Sequence, residues 1–457
     1  MEREMVMGFQ KDFAWGVATA AYQIEGGADA DGKGPSIWDV YERTPGNIKD
    51  GGSGRVACDH YHRYKEDVKL MKELGLNAYR FSVSWPRILP EGTGKINEAG
   101  LEFYSKLVDE LVANGITPYI TLLHSDIPQA FLEQGGWLNR ESPDWFANYA
   151  KIVVERLSDR VVNWFTMNEP FNMVIPAYET GDSAPGLKLS KKETFQITHH
   201  MLLAHGKAVK AIRAASKQPC RIGIAHAGLP MVPEGDGEAD YQAAKALTFA
   251  ASKEMGLWSA TWWLDPIFFG HYPADGLINY AEWLPEIGPD DMAIISQPLD
   301  YFALNLYWSR SVRYHPQTAF EFVAPVIGEP KTTMDWPVRP NALYYGPKFM
   351  YERYGKPILI TENGMAGMDW KSVDGKVHDP QRIDFYHRYL SEYKRAVADG
   401  VEALGFFAWT FMDNMEWNCG YEKRFGLVHV DFKTLERTIK DSGYWYRDLI
   451  ECNGDIL

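Results

Sequence analysis

Cysteine is scarce in this chain, and the four present (Cys58, Cys220, Cys419 and Cys452) share no paired spacing. That excludes a Cys-x-x-Cys motif and a zinc ribbon, and leaves reduced thiols as the expectation. Positive charge is in deficit too: 47 Lys and Arg stand against 61 Asp and Glu, a formal net charge of -14. A phosphate backbone needs a basic face, so no nucleic-acid partner is expected. Long apolar runs are missing. The longest, residues 403–412, is far too short to span a bilayer. Glu2, Arg3, Glu4, Lys11 and Asp12 break up the N-terminal segment where the apolar stretch of a leader would lie. The expectation is a soluble, cytoplasmic protein with no membrane partner. No Ser/Gly linker or lasting change of composition divides the chain, so residues 1–457 read as one domain.

Aromatic residues are the compositional excess: 16 Trp, 25 Tyr and 22 Phe make up 14% of the chain. Most must serve packing. Flat apolar faces edged with donors also suit sugar rings, whose C–H faces stack while their hydroxyls hydrogen-bond.

Short apolar runs alternate with longer amphipathic stretches from end to end. The runs are residues 13–18, 78–82, 118–123, 163–167, 221–225, 301–306, 357–361 and 403–409. Between them, stretches such as 64–74, 100–113, 143–157, 192–214 and 381–399 repeat apolar residues every three or four positions, the mark of a helix buried on one side. Strands too apolar to alternate, each followed by a helix, predict a parallel sheet covered by helices. Eight such units predict an α/β fold, a single (β/α)8 TIM barrel. The surplus length follows the first, fifth, sixth and eighth strands, which predicts extended loops at the C-terminal face, where barrel enzymes place their sites.

Two segments almost two hundred residues apart carry the chemistry: Thr166-Met167-Asn168-Glu169-Pro170 and Ile360-Thr361-Glu362-Asn363-Gly364. On this layout Glu169 ends the fourth strand and Glu362 the seventh, facing each other across the barrel mouth. Two carboxylates delivered to one cleft are what acid-assisted displacement at a sugar carbon requires. About 5 to 5.5 Å between them suits retention, and roughly 6.5 to 9.5 Å suits inversion. A sugar-binding protein without catalysis would have no reason to keep both. A phosphate- or metal-dependent enzyme would need a cluster that the sequence does not display.

Three further motifs join these: Phe13-Ala14-Trp15-Gly16-Val17-Ala18-Thr19 with Tyr22-Gln23-Ile24-Glu25-Gly26, Tyr79-Arg80-Phe81-Ser82-Val83-Ser84-Trp85-Pro86-Arg87, and Trp409 through Asp413-Asn414-Met415-Glu416-Trp417 to Gly426. With them the chain resembles the family-1 glycoside hydrolases of the β-glucosidase type, from residue 9 to about residue 445. The resemblance implies a retaining, exo-acting β-glycosidase that needs no cofactor or metal and acts on small β-glycosides or short oligosaccharides. Glucose, galactose or fucose, and transglycosylation, stay open. It implies Glu169 as general acid/base and Glu362 as nucleophile, with Arg80 holding Glu362 anionic and Tyr307 donating to the same carboxylate. It further implies Gln23, His124, Asn168, Asn305, Tyr307, Glu416, Trp417 and Phe425 around the sugar, Trp409 as stacking platform and Trp336 on the leaving-group side. The phospho-sugar hydrolases of that family carry serine in place of Glu416 and tyrosine in place of Phe425. Glu416 would repel a phosphate, so unphosphorylated sugar is expected.

Three positions depart from the family pattern: Ser125 where Trp is usual, Ser183 where His is usual, and Met415 where Phe is common. Ser125 leaves space or water beside the sugar. Of the weaker signals, Asp59-His60-Tyr61-His62 precedes a helix with Asp59 as its expected N-cap and lacks a third metal ligand. Asp29-Ala30-Asp31-Gly32 opens like a calcium loop, but Val40 stands where its closing glutamate belongs, so a turn is expected.

Overall fold

The computed structural model describes residues 8–457, so the reading of the N-terminal segment falls partly on residues 1–7, outside the described residues. Eight parallel strands close into a barrel: β1 (Ala14–Ala18), β2 (Ala78–Ser82), β3 (Thr117–Leu123), β4 (Asn163–Asn168), β5 (Arg221–Ala227), β6 (Phe302–Asn305), β7 (Ile358–Asn363) and β8 (Ala403–Trp409). Each strand pairs with its sequence neighbours, and β1 closes the ring against β8. The expected strands are all present, most with ends shifted by one or two residues.

Two sets of side chains explain the closure. Outward-facing Trp15, Tyr79, Ile120, Trp164, Ile222 and Ile360 pack beneath the surrounding helices. Inside, the rings of Tyr119, Phe165, Tyr301 and Phe407 alternate with Ala14, Ala78, Ala225 and Ala303. The small residues make room for the rings. A Cβ on Gly16 would lie 2.5 Å from the Phe407 ring, and such overpacking costs about 1–3 kcal/mol.

The helices Glu98–Ala113, Ser142–Leu157, Lys191–Ala215 and Pro380–Ala398 lie where periodicity placed them. Lys191–Ala215 opens on a reciprocal cap, in which Ser190 Oγ accepts from the Glu193 N–H and the Glu193 carboxylate accepts from the Ser190 N–H. Asp59 does not cap the helix His60–Glu73. Its backbone is left-handed (φ 55°), and Asp59 Oδ1 instead lies 2.6 Å from His62 Nδ1. An N-cap needs extended backbone to aim its oxygen at the first amides. Residues Ala30–Gly32 form a single turn.

The surplus length does follow strands. Segments after β5 and β6 build a three-stranded sheet (Met231–Pro233, Arg310–His315, Ala319–Phe322), and the segment after β8 ends in the hairpin Val428–Val430 with Arg437–Ile439. Among the described residues, no helix is long and apolar enough to cross a membrane.

Candidate active site

β4 and β7 both slip register near their C-terminal ends, β4 between Phe165 and Asn168 and β7 between Ile360 and Glu362. Irregularities of this kind re-aim side chains at barrel rims. Asn168 closes β4, and Glu169 follows with a left-handed backbone (φ 44°) immediately before the short helix Pro170–Val174. Its N–H donates to the Ala225 carbonyl at 2.8 Å, holding a conformation that costs a non-glycine residue about 1–3 kcal/mol. Glu362 lies one residue before the end of β7. Two residues on, Gly364 is needed because a Cβ there would come within 1.9 Å of the Trp409 carbonyl oxygen.

A short relay of hydrogen bonds joins the two carboxylates. Arg80 Nη1 donates to Glu362 Oε1 at 2.7 Å, and Nη2 to Asn168 Oδ1 at 2.6 Å. Asn305 Nδ2 donates to Asn168 Oδ1 at 2.9 Å and to Glu169 Oε1 at 2.7 Å. Tyr307 donates to Glu362 Oε2 at 2.8 Å. The guanidinium itself rests over the Phe165 ring inside the barrel, 5.2 Å from its centroid.

The same relay sets a histidine tautomer. Asn168 Oδ1 meets two donors, which fixes its amide so that Nδ2 donates to His124 Nε2 at 3.0 Å. The imidazole therefore carries its hydrogen on Nδ1, and that atom is buried without a partner among the described residues. Burial, with Arg80 adding to it, keeps His124 well below its ordinary value and so neutral. Gln23 has a similar vacancy: its Nε2 donates to Met415 O at 2.8 Å, while buried Oε1 has no partner among the described residues. A donor and an acceptor are thus held ready beside the carboxylates, and Asn168 keeps a second amide hydrogen.

The carboxyl groups of Glu169, Glu362 and Glu416 all sit above the usual range, burial first among the causes. Glu169 is raised against the pull of Asn305 and Asn172. Glu362 is raised to about 7, Arg80 opposing and the Glu169 charge reinforcing the effect of burial. Glu416 reaches about 8, pushed by burial and then by Glu362 and Glu169. Arg80 pulls Glu362 down, without returning it to the usual carboxylate value. One guanidinium, which also donates to Thr121, Thr361 and Asn168, does not offset burial and a neighbouring carboxylate. Glu169 and Glu362 titrate as a pair, and contacts decide where the remaining charge rests. Glu362 accepts from a cation and a phenol, Glu169 from neutral amides, so the anion of the singly ionised pair is Glu362.

A measurable consequence concerns Glu416. A carboxyl raised on folding from 4.5 to about 8 destabilises the protein as pH climbs through that window, because the unfolded state loses its proton first. Melting of Glu416→Gln should therefore gain on the parent between pH 5 and pH 9; a gap independent of pH would show that Glu416 ionises freely.

The cleft, about 330 Å³, brings together most of the expected residues: His124, Asn168, Glu169, Tyr307, Glu362 and Glu416 line it. Trp336, Trp409, Trp417 and Phe425 supply its aromatic walls, and Ser125 and Ser183 lie along its side. Arg80, Gln23 and Asn305 stand behind the lining. For Asn305 this is a correction: both amide hydrogens go to Asn168 and Glu169, and its Oδ1 accepts from Thr361 at 2.7 Å. It supports the carboxylate and has no hydrogen left for a sugar. Trp38, Asn172, Asp182 and Asn418 also line the cleft and escaped the sequence reading. Asn172 had a signal, since it lies three residues after Glu169 on one helical turn and donates to its carboxylate. Among the described residues, no group of three or more His, Cys, Asp or Glu could hold a metal; His60 Nδ1 is instead 2.8 Å from Asp67.

The chain is similar to known proteins along nearly its whole length. The family described as glycosyl hydrolase family 1 matches residues 5–455. A "Beta-glucosidase A" of Acetivibrio thermocellus is 46% identical, over 98% of this chain and 99% of its own length. A "1,4-beta-D-glucan glucohydrolase" of Thermotoga neapolitana is 44% identical over 98% of this chain and 99% of its own. Among solved structures, a β-glucosidase from Thermotoga maritima in complex with glucoimidazole superposes with a TM-score of 0.89 at 43% identity, covering 98% of this chain and 100% of that one.

Proposed function

The chain belongs to glycosyl hydrolase family 1, and on that premise we propose a retaining, exo-acting β-glucosidase whose residues 1–457 work as one cytoplasmic catalytic domain. It removes terminal β-D-glucosyl units from small glycosides or short oligosaccharides. The observation that carries this reading is the Glu169–Asn305–Asn168–Arg80–Glu362 relay, which turns two unlike carboxyls toward one sugar-sized cleft.

The sugar ring stacks on Trp409. The His124 Nδ1–H and the free Asn168 amide hydrogen donate to its hydroxyls, while Gln23 Oε1 and the Glu416 carboxylate accept from them. Glu362 attacks the anomeric carbon as the bond to the leaving oxygen breaks, and Glu169 gives that oxygen its proton. The ester that forms on Glu362 carries no charge, which removes the repulsion that kept Glu169 protonated. Glu169 then takes a proton from water. The hydroxyl attacks the same carbon, the ester bond breaks, and sugar of the original β configuration leaves with Glu362 ionised again. Glu416, standing where the phospho-sugar hydrolases of the family carry serine, supports an unphosphorylated substrate.

A panel of nitrophenyl glycosides of both anomers, with proton NMR of the first-formed sugar, tests the reading. Turnover of β-glucoside with β-glucose appearing first is expected; α-glucose appearing first would overturn it. A second expectation follows from the coupled titration. Glu362 ionises beside a protonated Glu169, so Glu362→Gln removes the charge that keeps the proton on Glu169, and the Glu169 carboxyl, followed by its carbon-13 or infrared signal, should titrate at lower pH than in the parent. An unmoved titration would mean that the two carboxyls do not sense each other.

A further inference from the structure

Glu169 must serve the two halves of the reaction in opposite states, and its carboxyl is held from both sides. Oε1 accepts from Asn305 Nδ2 at 2.7 Å, and Oε2 accepts from Asn172 Nδ2. Turning the carboxyl about its own bond would break both contacts. The two amides are not equally committed. Asn305 is tied to β4 and β7 by its remaining polar atoms, through Asn168 and Thr361. Asn172 is exposed, lines the cleft, and makes no other side-chain hydrogen bond among the described residues. Its backbone N–H donates to the Glu169 carbonyl at 2.9 Å, so this donor is built into the same helical turn as the carboxyl it meets.

We propose that Asn172 is a positioning residue for the second half of the reaction: its amide completes the seat of the ionised Glu169 carboxylate that draws a proton from water. A hydrogen bond to an ionised acceptor is roughly twice as strong as one to a neutral group, so this donor favours the base over the acid. Burial acts the other way and keeps Glu169 above its ordinary value, with Asn305 and Asn172 opposing it. Without Asn172 the carboxyl would hold its proton more tightly. The acid step would then survive to higher pH, and the base step would need higher pH to begin. The charged groups facing Glu169 are Arg80 on β2, Glu362 on β7 and Glu416 in the loop after β8, with the Tyr307 phenol just after β6. On β5, His226 packs against Phe171 and is kept neutral by burial. None of these lies on the helix that carries Asn172, so all remain when its side chain is changed. The inference rests on the retaining reaction and adds a residue to its second step.

The test uses Asn172→Leu, which keeps the shape of the side chain without its donor, and Asn172→Asp, which sets a second negative charge beside Glu169. The residue is exposed, so neither change disturbs the core. Two pH profiles are measured. The alkaline limb of kcat/KM on cellobiose needs Glu169 protonated. The acid limb of kcat on 2,4-dinitrophenyl β-glucoside, whose ester forms without help from an acid, needs Glu169 ionised. Both limbs should move to higher pH, by about one pH unit in Asn172→Leu and further in Asn172→Asp. Below its limb, kcat of Asn172→Leu on the dinitrophenyl glucoside should fall about tenfold, one pH unit being a factor of ten in the ionised fraction. Limbs that stay in place, or that move to lower pH, would overturn the inference. So would equal losses of kcat and kcat/KM at every pH, since Asn172 would then serve only the cleft wall. Movement in Asn172→Asp alone would report charge repulsion and overturn it too. Failure of the parent to hydrolyse β-glucosides would strike the assigned reaction, and the inference with it.

Discussion

Glu362→Ala is expected to hydrolyse an aryl β-glucoside on the order of 10⁵-fold more slowly than the parent, the scale on which loss of a covalent nucleophile falls. Without Glu362 no glycosyl ester forms, and Glu169 alone can only assist departure of the leaving group. The loss has a structural side. Arg80 is 1% exposed and would keep a buried positive charge without its anion, at a cost of about 3–5 kcal/mol. Glu362→Gln retains the shape of the group and should lose activity just as severely while melting closer to the parent. Azide offers a sharper check. An anion occupying the vacated face attacks the anomeric carbon from that side and should yield the α-glucosyl azide. Near-parental hydrolysis in Glu362→Ala would refute the assignment outright.

Glu169→Ala is expected to show the opposite signature. A positioned general acid contributes about 10²- to 10⁴-fold, and poor leaving groups need that proton most. Alkyl glucosides and disaccharides should therefore lose activity across this range. A dinitrophenyl glucoside, whose leaving group needs little help, should still form the ester and then stall in a burst. Azide, needing no base, should restore turnover and give the β-glucosyl azide, because it attacks an ester already inverted once. The two variants thus differ in the anomer of a single product. Equal losses on good and poor leaving groups, with no azide effect, would count against Glu169 as the acid.

Much of this was legible in the chain because each barrel strand is buried on both sides. A continuous apolar run such as 403–409 has little freedom to be anything but an inner strand, and the helices between carry an apolar stripe of unmistakable period. Glu169 and Glu362 were legible for a related reason, as acidic side chains at the exits of such runs. What could not be read depended on where separate loops meet. Trp38, Asp182 and Asn418 come from three different segments and meet only in the folded cleft. The role of Asn305 was hidden because its commitments lie on β4 and β7. The elevated Glu362 was missed because its cause, a second carboxylate and a dry pocket, exists only in three dimensions. Asp59 misled because the N-cap preference presumes an extended backbone, and here the chain turns left-handed.

Every member of the relay sits on a strand or at its immediate end: Arg80 on β2, Asn168 and Glu169 at β4, Asn305 on β6 and Glu362 on β7. The spacing of the reacting groups is therefore gauged chiefly by the staves of the cask, while Tyr307 and Asn172 at the rim steady the same two carboxylates. Swapping whole rim segments between such proteins should retune which aglycones are welcomed while the stereochemical outcome is inherited unchanged.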